Sequence, residues 1–375
     1  MKFRAERHEF ADAAAWALRT VGTRVTLPAL SGVRLEVAGD RLELRSTDLE
    51  IASELSIPVQ AEREGVALVP GRLLGDVVRS LPSAALSAEG DNERLRLQCG
   101  RARFDLRLMP ADDFPAAPVT AEDAAVAVMK AEEFARMVTQ VARAAGTDDA
   151  RPVLTGVQLE ATAGSLTAAA TDSYRLARRV VPWEQGTEMT VLVPRRALDE
   201  ARRSAEQLGS EVRLVLEPNQ ATFEFGDRRL VTRLIEGRFP DFRQLVPEGY
   251  ERRLEADRAE LIEVVRRVSV VGDGSGSTTP VNLQLHADSI DVSAGSGEVG
   301  QADESLPGML EGDELHIAFN PRYLTDGLEV AGGERVVLEF RDELKPAVIR
   351  PAGPPPGDDA DTASDFLYLL MPVRV

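Results

Sequence analysis

Cysteine is nearly absent from this 375-residue chain: only Cys99 is present, which excludes an intramolecular disulfide and indicates a reducing compartment. Histidine is also sparse. His8, His286 and His316 lack the spacing of metal ligands, and we predict neither a metal site nor any other cofactor. No stretch approaches the roughly 18 consecutive apolar residues of a membrane span, and the first residues lack the apolar run of a signal peptide. We therefore predict a cytoplasmic protein without membrane contact.

Motifs of catalytic and nucleotide-binding sites are missing as well. The sequence contains no GxxxxGK(S/T) phosphate loop and no GxSxG nucleophile elbow. The glycine-rich run GDGSGS at 272–277 follows a predicted helix and is interpreted as a turn. Acidic residues are abundant, but none are arranged as catalytic carboxylates that perturb each other. The sequence therefore predicts a protein that is not an enzyme.

Acidic residues outnumber basic ones, 62 to 44, and give a formal net charge of −18. If it is evenly spread, a charge of this sign favours solubility and opposes binding to polyanions. An interaction with nucleic acid therefore requires that basic residues gather on one face.

One pattern occurs three times along the chain. The segments LSGVRLEV, LTGVQLEA and PVNLQLHA begin at residues 30, 154 and 280. The pair Thr47-Asp48 returns 124 positions later as Thr171-Asp172, in the same register as the first two segments. Such self-similarity indicates tandem repeats. We predict three domains, at residues 1–120, 121–247 and 248–375.

Each copy contains two helical segments among strand-like ones. Apolar residues at helical spacing mark FADAAAWALRTV, FARMVTQVARAA and LIEVVRRVSVV, and a second helix opens near PGR, PRR or NPR. Segments such as RLELRS and RLRLQC alternate polar and apolar residues, as half-buried antiparallel strands do. The predicted class is α+β, each domain being two helices packed on antiparallel β-sheet. The run 350–365, rich in Pro, Gly and acid, is predicted to be a mobile loop before the last strand.

Arginines recur at seven-residue spacing on the predicted helices, which places both members of a pair on one helical face. Arg136 and Arg143 form such a pair, with no acid between them. Similar repeats would gather these side chains on one surface, a basic patch suited to the phosphates of duplex DNA and blind to its sequence. The alternative is an ordinary solvated face of mixed charge.

Six motifs, spread in order over the whole chain, resemble those of the bacterial sliding clamp, the DNA polymerase III subunit beta: TLPAL, TDLE, ATDSYRLA, VPRR, EGRFPDF and LLMPVRV. The resemblance implies three tandem DNA-clamp domains per chain. It implies a head-to-tail homodimer that forms a six-domain ring around duplex DNA, with the helices inside. It also implies a non-catalytic processivity factor that tethers the replicative DNA polymerase, the clamp loader and repair proteins through their short linear motifs.

The stretch matched by ATDSYRLA forms part of the pocket that receives these linear motifs in the clamp family. By this resemblance, the pocket residues are Leu154, Thr171, Tyr174, Arg175, Leu176, Pro240, Leu245, Leu344, Pro346, Leu369, Leu370, Met371, Pro372 and Arg374. Apolar walls with a flexible Met suit varied Leu and Phe anchors, while Tyr and Arg would supply directional bonds. The alternative makes Leu176, Leu370 and Met371 ordinary core residues. Gln244 and Ser173 depart from the family, which often has a basic residue and a Gly there.

The Thr-Asp pair itself is predicted to be architectural, with its hydroxyl and carboxylate capping a strand-end turn. Arg24 in GTRVTLP matches a family position near the duplex. The predicted DNA-facing residues are Arg24, Arg72, Arg79, Arg136, Arg143, Arg196 and Arg203. Candidates for the dimer interface are Phe104, Val270 and Val271, each of which suits a hydrophobic core equally well.

Two other functions remain open at this point. One is a monomeric repeat scaffold that does not act on DNA. The other is a hydrolase that uses Asp172, Tyr174 and Arg175.

Overall fold

The computed structural model describes residues 1–22, 27–119, 124–183, 188–247, 249–271, 279–296, 300–353 and 366–374. The α-helices in these ranges are α1 (Arg7–Ala17), α2 (Gly71–Ser80), α3 (Ala131–Ala142), α4 (Arg195–Leu208), α5 (Arg258–Val268) and α6 (Pro321–Ala331). Each coincides with a predicted helical segment, two per repeat, and this prediction is confirmed. No helix in the described ranges is long and apolar enough to span a bilayer.

Strands make up most of the remaining structure. The first repeat contains β1 (Lys2–Ala5), β2 (Gly32–Ala38), β3 (Arg41–Thr47), β4 (Ile51–Pro58), β5 (Gln60–Arg63), β6 (Gly65–Pro70), β7 (Leu86–Gly90), β8 (Arg94–Cys99) and β9 (Ala102–Arg107). The second contains β10 (Ala125–Lys130), β11 (Gly156–Thr162), β12 (Gly164–Thr171), β13 (Arg175–Trp183), β14 (Met189–Pro194), β15 (Glu211–Leu216), β16 (Gln220–Phe225) and β17 (Arg228–Arg233). The third contains β18 (Arg252–Asp257), β19 (Val281–Leu285), β20 (Ser289–Ser296), β21 (Gly300–Glu311), β22 (Leu315–Phe319), β23 (Arg335–Phe340), β24 (Ala347–Pro351) and β25 (Phe366–Leu370).

The chain divides into two compact units, residues 1–135 with 196–234, and residues 136–195 with 235–375. In the first unit, a five-stranded sheet has the order β5-β1-β7-β8-β9 and an eight-stranded sheet the order β10-β15-β16-β17-β4-β3-β2-β6. In the second unit, one sheet has the order β14-β11-β12-β13-β25-β24-β23-β18-β21-β20-β19-β22. All the pairings recorded between these strands are antiparallel, so the predicted α+β class with antiparallel sheets is confirmed.

Within each unit, a sheet runs from one repeat into the next. β4 pairs with β17, with Ile51 opposite Thr232, and β13 pairs with β25, with Arg175 opposite Leu370. Each repeat therefore completes a sheet of its neighbour through backbone hydrogen bonds.

The helices cover these sheets with one apolar face. In the first unit, Phe10 and Trp16 of α1 and Leu74 of α2 are buried in one core with the strands of the first repeat. Trp16 Nε1 donates a hydrogen bond to Ser204 Oγ of α4 at 3.0 Å. The buried indole therefore keeps a polar partner and ties the first repeat to a helix of the second.

Two predicted loops fall partly or wholly outside the described residues. Arg350 and Pro351 still belong to β24, so the predicted loop at 350–365 begins later than expected. Its residues 354–365 lie outside the described ranges, as does the predicted turn at 272–277.

Gly327 of α6 lies against the buried ring of Tyr368. A Cβ at this position would approach Tyr368 Cδ1 and Cε1 to 2.5 Å. Gly327→Ala is expected to lower the free energy of unfolding by about 1–3 kcal/mol in urea titrations, because overpacking outweighs the gain in helix propensity. Gly353→Ala, where no atom lies within 4 Å of the added carbon, is the control. An unchanged or raised urea midpoint for Gly327→Ala would contradict this packing.

Candidate functional site

The turn between β12 and β13 is built by Thr171 and Asp172. The Thr171 hydroxyl donates to the Arg175 carbonyl at 2.6 Å and accepts from the Ser173 amide at 3.2 Å. Asp172 Oδ1 accepts from the amides of Tyr174 and Arg175 at 2.9 and 3.1 Å. The predicted capping role of the Thr-Asp pair is confirmed.

The first repeat contains the same turn. Thr47 and Asp48 make the corresponding four hydrogen bonds between β3 and β4. The residue after the Asp has a positive φ in both turns, 79° at Leu49 and 82° at Ser173. Because this conformation is costly for residues with a Cβ, the geometry explains why glycine suits the Ser173 position.

Arg175 is buried and bonded within the protein. Its Nε donates to Asp172 Oδ2 at 2.9 Å, its Nη1 donates to Asp326 Oδ2 at 2.5 Å, and its guanidinium carbon lies 4.3 Å from the centre of the Tyr323 ring. Burial alone would lower the pKa of Arg175, but interactions with Tyr368, Asp326 and Asp172 outweigh burial and raise it. The directional bonds expected from Arg175 to a peptide are thus made to the protein itself in this structure.

Tyr174 lies at the surface next to this buried arginine. Its side chain is 58% exposed and its ring stacks on that of Tyr323, with the centroids 6.3 Å apart. Its carbonyl accepts from the Met371 amide at 2.9 Å, and Met371 is 39% exposed. The Tyr368 hydroxyl donates to the Tyr323 carbonyl at 2.9 Å and so fixes α6 against β25. Two exposed side chains, an aromatic ring and a flexible thioether, therefore belong to residues that are joined by a backbone hydrogen bond.

Other predicted pocket residues are buried in the unbound chain: Leu154, Thr171, Leu176, Leu369 and Leu370. Leu176 and Leu369 are paired across β13 and β25 and pack in one cluster with Phe239 and Phe242. Leu176 and Leu370 are thus core residues here, as the alternative held, whereas Met371 is not.

The remaining predicted pocket residues are partly or fully exposed: Pro240, Leu245, Leu344, Pro346, Pro372 and Arg374. Leu245 ends a short 3-10 helix, Phe242–Leu245, whose Phe242 is anchored in the cluster that also contains Leu176 and Leu369. Pro346 directly precedes Ala347, which pairs with Leu370. The structure therefore brings four of the predicted segments, around Leu176, Pro240, Pro346 and Leu369, to one region of the second unit.

Three residues of this region were missed from the sequence: Tyr323, Asp326 and Tyr368. Tyr323 and Asp326 are three positions apart on α6, which places them on one helical face. That spacing was the only sequence signal that these residues act together. Their side chains come from the third repeat, whereas the turn that they contact belongs to the second.

The predicted DNA-facing arginines are exposed, except for Arg24, which lies outside the described residues. Acidic partners lie close to four of them: Arg79 is 2.5 Å from Asp76, Arg143 is 3.2 Å from Glu329 and 3.5 Å from Asp326, Arg196 is 2.5 Å from Asp48, and Arg203 is 3.2 Å from Glu200. No acid separates Arg136 and Arg143 in the sequence, but α6 brings two acids close to Arg143 in the structure. The helical faces are of mixed charge.

The three candidates for the dimer interface differ in exposure. Phe104 on the edge strand β9 is half-buried and packs against the core of the first unit. Val270 is 80% exposed and Val271 is half-buried, in the short 3-10 helix Ser269–Val271 after α5. Val270 therefore presents an apolar side chain to solvent in the isolated chain.

The geometry gives no support to catalysis or metal binding. No group of three or more His, Cys, Asp or Glu side chains within the described ranges could hold a metal ion. Both carboxylate oxygens of Asp172 are occupied by Tyr174 and Arg175 donors. The hydrolase that would use Asp172, Tyr174 and Arg175 is not favoured.

Comparison with known families accounts for the three repeats. Residues 1–118, 128–241 and 243–373 match the N-terminal, central and C-terminal domains of the DNA polymerase III beta subunit. Relatives include the beta sliding clamp of Streptomyces coelicolor, 37% identical with both chains fully covered, and the beta sliding clamp homolog GriR of Streptomyces muensis, 32% identical over 100% of this chain and 99% of GriR.

Solved structures agree with this match. The sliding clamp of Bacillus subtilis superposes with a TM-score of 0.93 at 26% identity, covering 100% of this chain and 99% of the other. The griselimycin-bound clamp of Pseudomonas aeruginosa superposes with a TM-score of 0.92 at 28% identity, with both chains fully covered. The fold and the site thus define a three-domain DNA clamp, a class of non-catalytic processivity factors. The chain belongs to the bacterial DNA polymerase III beta subunit family, the beta sliding clamps, and the predicted sliding-clamp function is confirmed.

Removing the Arg175 guanidinium would leave Asp172 and Asp326 buried without their counter-charge. We expect Arg175→Met to lower the free energy of unfolding by about 3 kcal/mol, measured by urea denaturation, because one partner of a buried ion pair is lost. Arg94→Met, which removes an ion pair with Asp105 that is about half exposed, is the control and should change little. Equal effects of the two substitutions would refute the structural role of Arg175.

Proposed function

We propose that two copies of this chain pair head to tail into a six-domain ring around duplex DNA, and that each copy tethers the replicative DNA polymerase, the clamp loader and repair proteins through the pocket at Tyr174 and Met371. The observation that carries the proposal is that the two junctions between successive repeats are alike. The first and the last repeat each provide one strand edge of the kind that would form a third junction. We infer that the protein acts in the cytoplasm, because its proposed substrate is chromosomal DNA, and that the three repeats act as domains at 1–120, 121–247 and 248–375.

The two junctions within the chain share their strand pairing. Val231 of β17 lies opposite Ala52 of β4, and Leu369 of β25 lies opposite Leu176 of β13. The amide at the end of the added strand donates to the turn in both cases, Arg233 to the Glu50 carbonyl and Met371 to the Tyr174 carbonyl, each at 2.9 Å. One mode of association therefore serves both junctions.

β9 is the counterpart of β17 and β25 in the first repeat, and it is the edge of its sheet. The first half of β21 is the counterpart of β4 and β13, and its pairing with β18 covers only Gly308–Glu311. We place Phe104 of β9 against the first half of β21 of the partner subunit. Strand edges with free backbone groups favour pairing with another strand. A two-fold axis between two copies of the chain would pair β9 of each copy with β21 of the other.

The charges of the two edges are complementary. β9 and the turn before it expose three arginines, Arg101, Arg103 and Arg107, against one acid, Asp105, whereas β21 carries Asp303 and Glu304 near its start, with Glu304 also paired with Arg267. Opposite charges of this kind favour the pairing of unlike edges over the pairing of like edges. This arrangement supports a head-to-tail contact.

The helices give a second line of support for the third junction, separate from the strand edges. Arg19 and Arg143 each stand twelve positions after the first residue of their helix, α1 or α3, and each reaches an acid on the second helix of the next repeat, Glu200 at 3.1 Å or Glu329 at 3.2 Å. Val270 occupies the same position after α5. We place Val270, with Val271, against α2 of the partner, where its exposed side chain would be buried.

The lining of the ring would be formed by the helices and their arginines. Most of these arginines are held by acids, so contact with a phosphate must displace an internal partner. Such contacts are weak, act on the DNA backbone and carry no sequence information. Weak contacts suit a ring that must slide, because encirclement and not affinity then retains the DNA.

The pocket fits short peptides with apolar anchors. Four of its predicted residues, Tyr174, Leu245, Leu344 and Met371, are among the large apolar side chains that the described structure leaves exposed. Exposed apolar groups gathered in one region are typical of a recognition site. The family relatives bear the name sliding clamp, and a monomeric scaffold is therefore not favoured.

Met371→Ala tests the pocket. Loss of the exposed thioether should weaken binding of a fluorescein-labelled peptide that carries Leu and Phe side chains by about tenfold, measured by fluorescence anisotropy, because an apolar anchor typically contributes 1–2 kcal/mol. Met309→Ala is the matched control, since Met309 is an exposed methionine of the same repeat outside the pocket. Equal affinity of Met371→Ala and the unchanged protein would remove Met371 from the site.

Val270→Asp tests the ring. A carboxylate at this position would be buried without a partner in the proposed dimer, so sedimentation should show monomers at concentrations where the unchanged protein is dimeric. Val119→Asp, with Val119 84% exposed, is the control and should remain dimeric. A stable monomer of the unchanged protein would favour the scaffold function. A Val270→Asp variant that remains dimeric would show that Val270 lies outside the dimer interface.

A further inference from the structure

We propose that Asp326 is a positioning residue that couples DNA contact at Arg143 to peptide affinity at Tyr174. The proposal rests on the proposed function, since it links the DNA-facing surface to the pocket.

One carboxylate joins the two arginines. Asp326 is 8% exposed, its Oδ2 accepts from Arg175 Nη1 at 2.5 Å, and its Oδ1 lies 3.5 Å from Arg143 Nη1. Arg143 is 42% exposed at its side chain, whereas Arg175 is buried at 7%. Asp326 therefore interacts with two guanidinium groups, that of the exposed Arg143, which DNA can reach, and that of the buried Arg175, which DNA cannot reach.

Arg175 continues the path to the surface of the pocket. Its guanidinium lies over the Tyr323 ring, and Tyr323 stacks on the exposed Tyr174. The Tyr174 carbonyl in turn accepts from Met371. Every step from Arg143 to Met371 is thus a hydrogen bond, an ion pair or a ring contact within the second unit.

The sign of the coupling follows from the charges. With Arg143 turned to Asp326 and Glu329, the Asp326 carboxylate shares two arginines, Arg143 and Arg175, while Asp172 pairs with Arg175. When a phosphate draws Arg143 away, the repulsion between the two guanidinium groups is lost and Arg143 no longer competes for Asp326, so Arg175 is held more firmly between Asp172 and Asp326. A more firmly held Arg175 fixes Tyr323 and hence Tyr174, so less conformational freedom is lost when a peptide binds.

The described residues of the first junction do not form this path. Glu200 of α4 is its nearest equivalent of Asp326 and lies 3.1 Å from Arg19 and 3.2 Å from Arg203. The turn that it would address has Ile51 in the place of Arg175. The coupling is therefore specific to the junction that carries the pocket.

The test measures the Kd of the fluorescein-labelled Leu/Phe peptide for the full chain, with and without a saturating short linear duplex that can thread a ring. The duplex should tighten peptide binding by about fivefold, at the low end of typical couplings because Arg143 is half exposed. Arg143→Gln should bind the peptide as tightly without DNA as the unchanged protein does with it. Asp326→Asn should show no response to DNA, and Asp326→Glu should recover part of it.

Arg213→Gln is the control for loss of an exposed arginine, since Arg213 pairs with Glu224 on a strand at 2.7 Å, and it should respond to DNA like the unchanged protein. Equal Kd with and without DNA in the unchanged protein would overturn the coupling while leaving the pocket intact. So would an undiminished response in Asp326→Asn. Absence of peptide binding in every sample would instead overturn the proposed pocket. Urea midpoints of each variant show whether a loss comes from unfolding.

Discussion

Pairing between edge strands of successive repeats is the constraint on which the rest of this structure depends. A strand edge presents unpaired backbone donors and acceptors, and each repeat satisfies one of its edges with the next repeat. β4 with β17 and β13 with β25 do so inside the chain, in the same register. Within the described residues, β9 of the first repeat and the start of β21 of the third repeat lack such a partner. A second copy of the chain is the simplest partner that could pair with both of these strand edges.

The same turn serves different purposes at the two internal junctions. At both, Thr and Asp hold the strand end, and the following residue adopts a positive φ. The side chain three positions after the Asp then decides the character of the junction. Ile51 is an apolar core residue, whereas Arg175 gathers Asp172, Asp326 and Tyr323 around it. The same turn therefore packs into an apolar core at the first junction and surrounds a buried charge cluster at the second, where we propose the peptide pocket.

Repetition made the fold accessible from the sequence. Helical spacing, strand alternation and the two Thr-Asp pairs are local patterns, and the structure follows them closely. The site was harder to predict for two physical reasons. Tyr323, Asp326 and Tyr368 reach the turn from the next repeat, which no local pattern reveals. Leu176, Leu369 and Leu370 match a pocket motif but lie in paired strands whose side chains point into the core. The arginine stripes similarly gave no sign of the acids that α6 brings to Arg143.

Because the net charge is −18 and several of the predicted DNA-facing arginines already pair with acids, we propose that closure of the ring, and not affinity, retains the DNA. The most direct measurement follows protein loaded on a closed circular plasmid through gel filtration in high salt, before and after the plasmid is cut at one site. High salt weakens phosphate contacts more than it weakens the strand pairing and apolar burial that hold the proposed ring closed. Co-elution with the circle and loss from the cut plasmid are expected. Equal loss from both forms, or equal retention on both, would contradict encirclement.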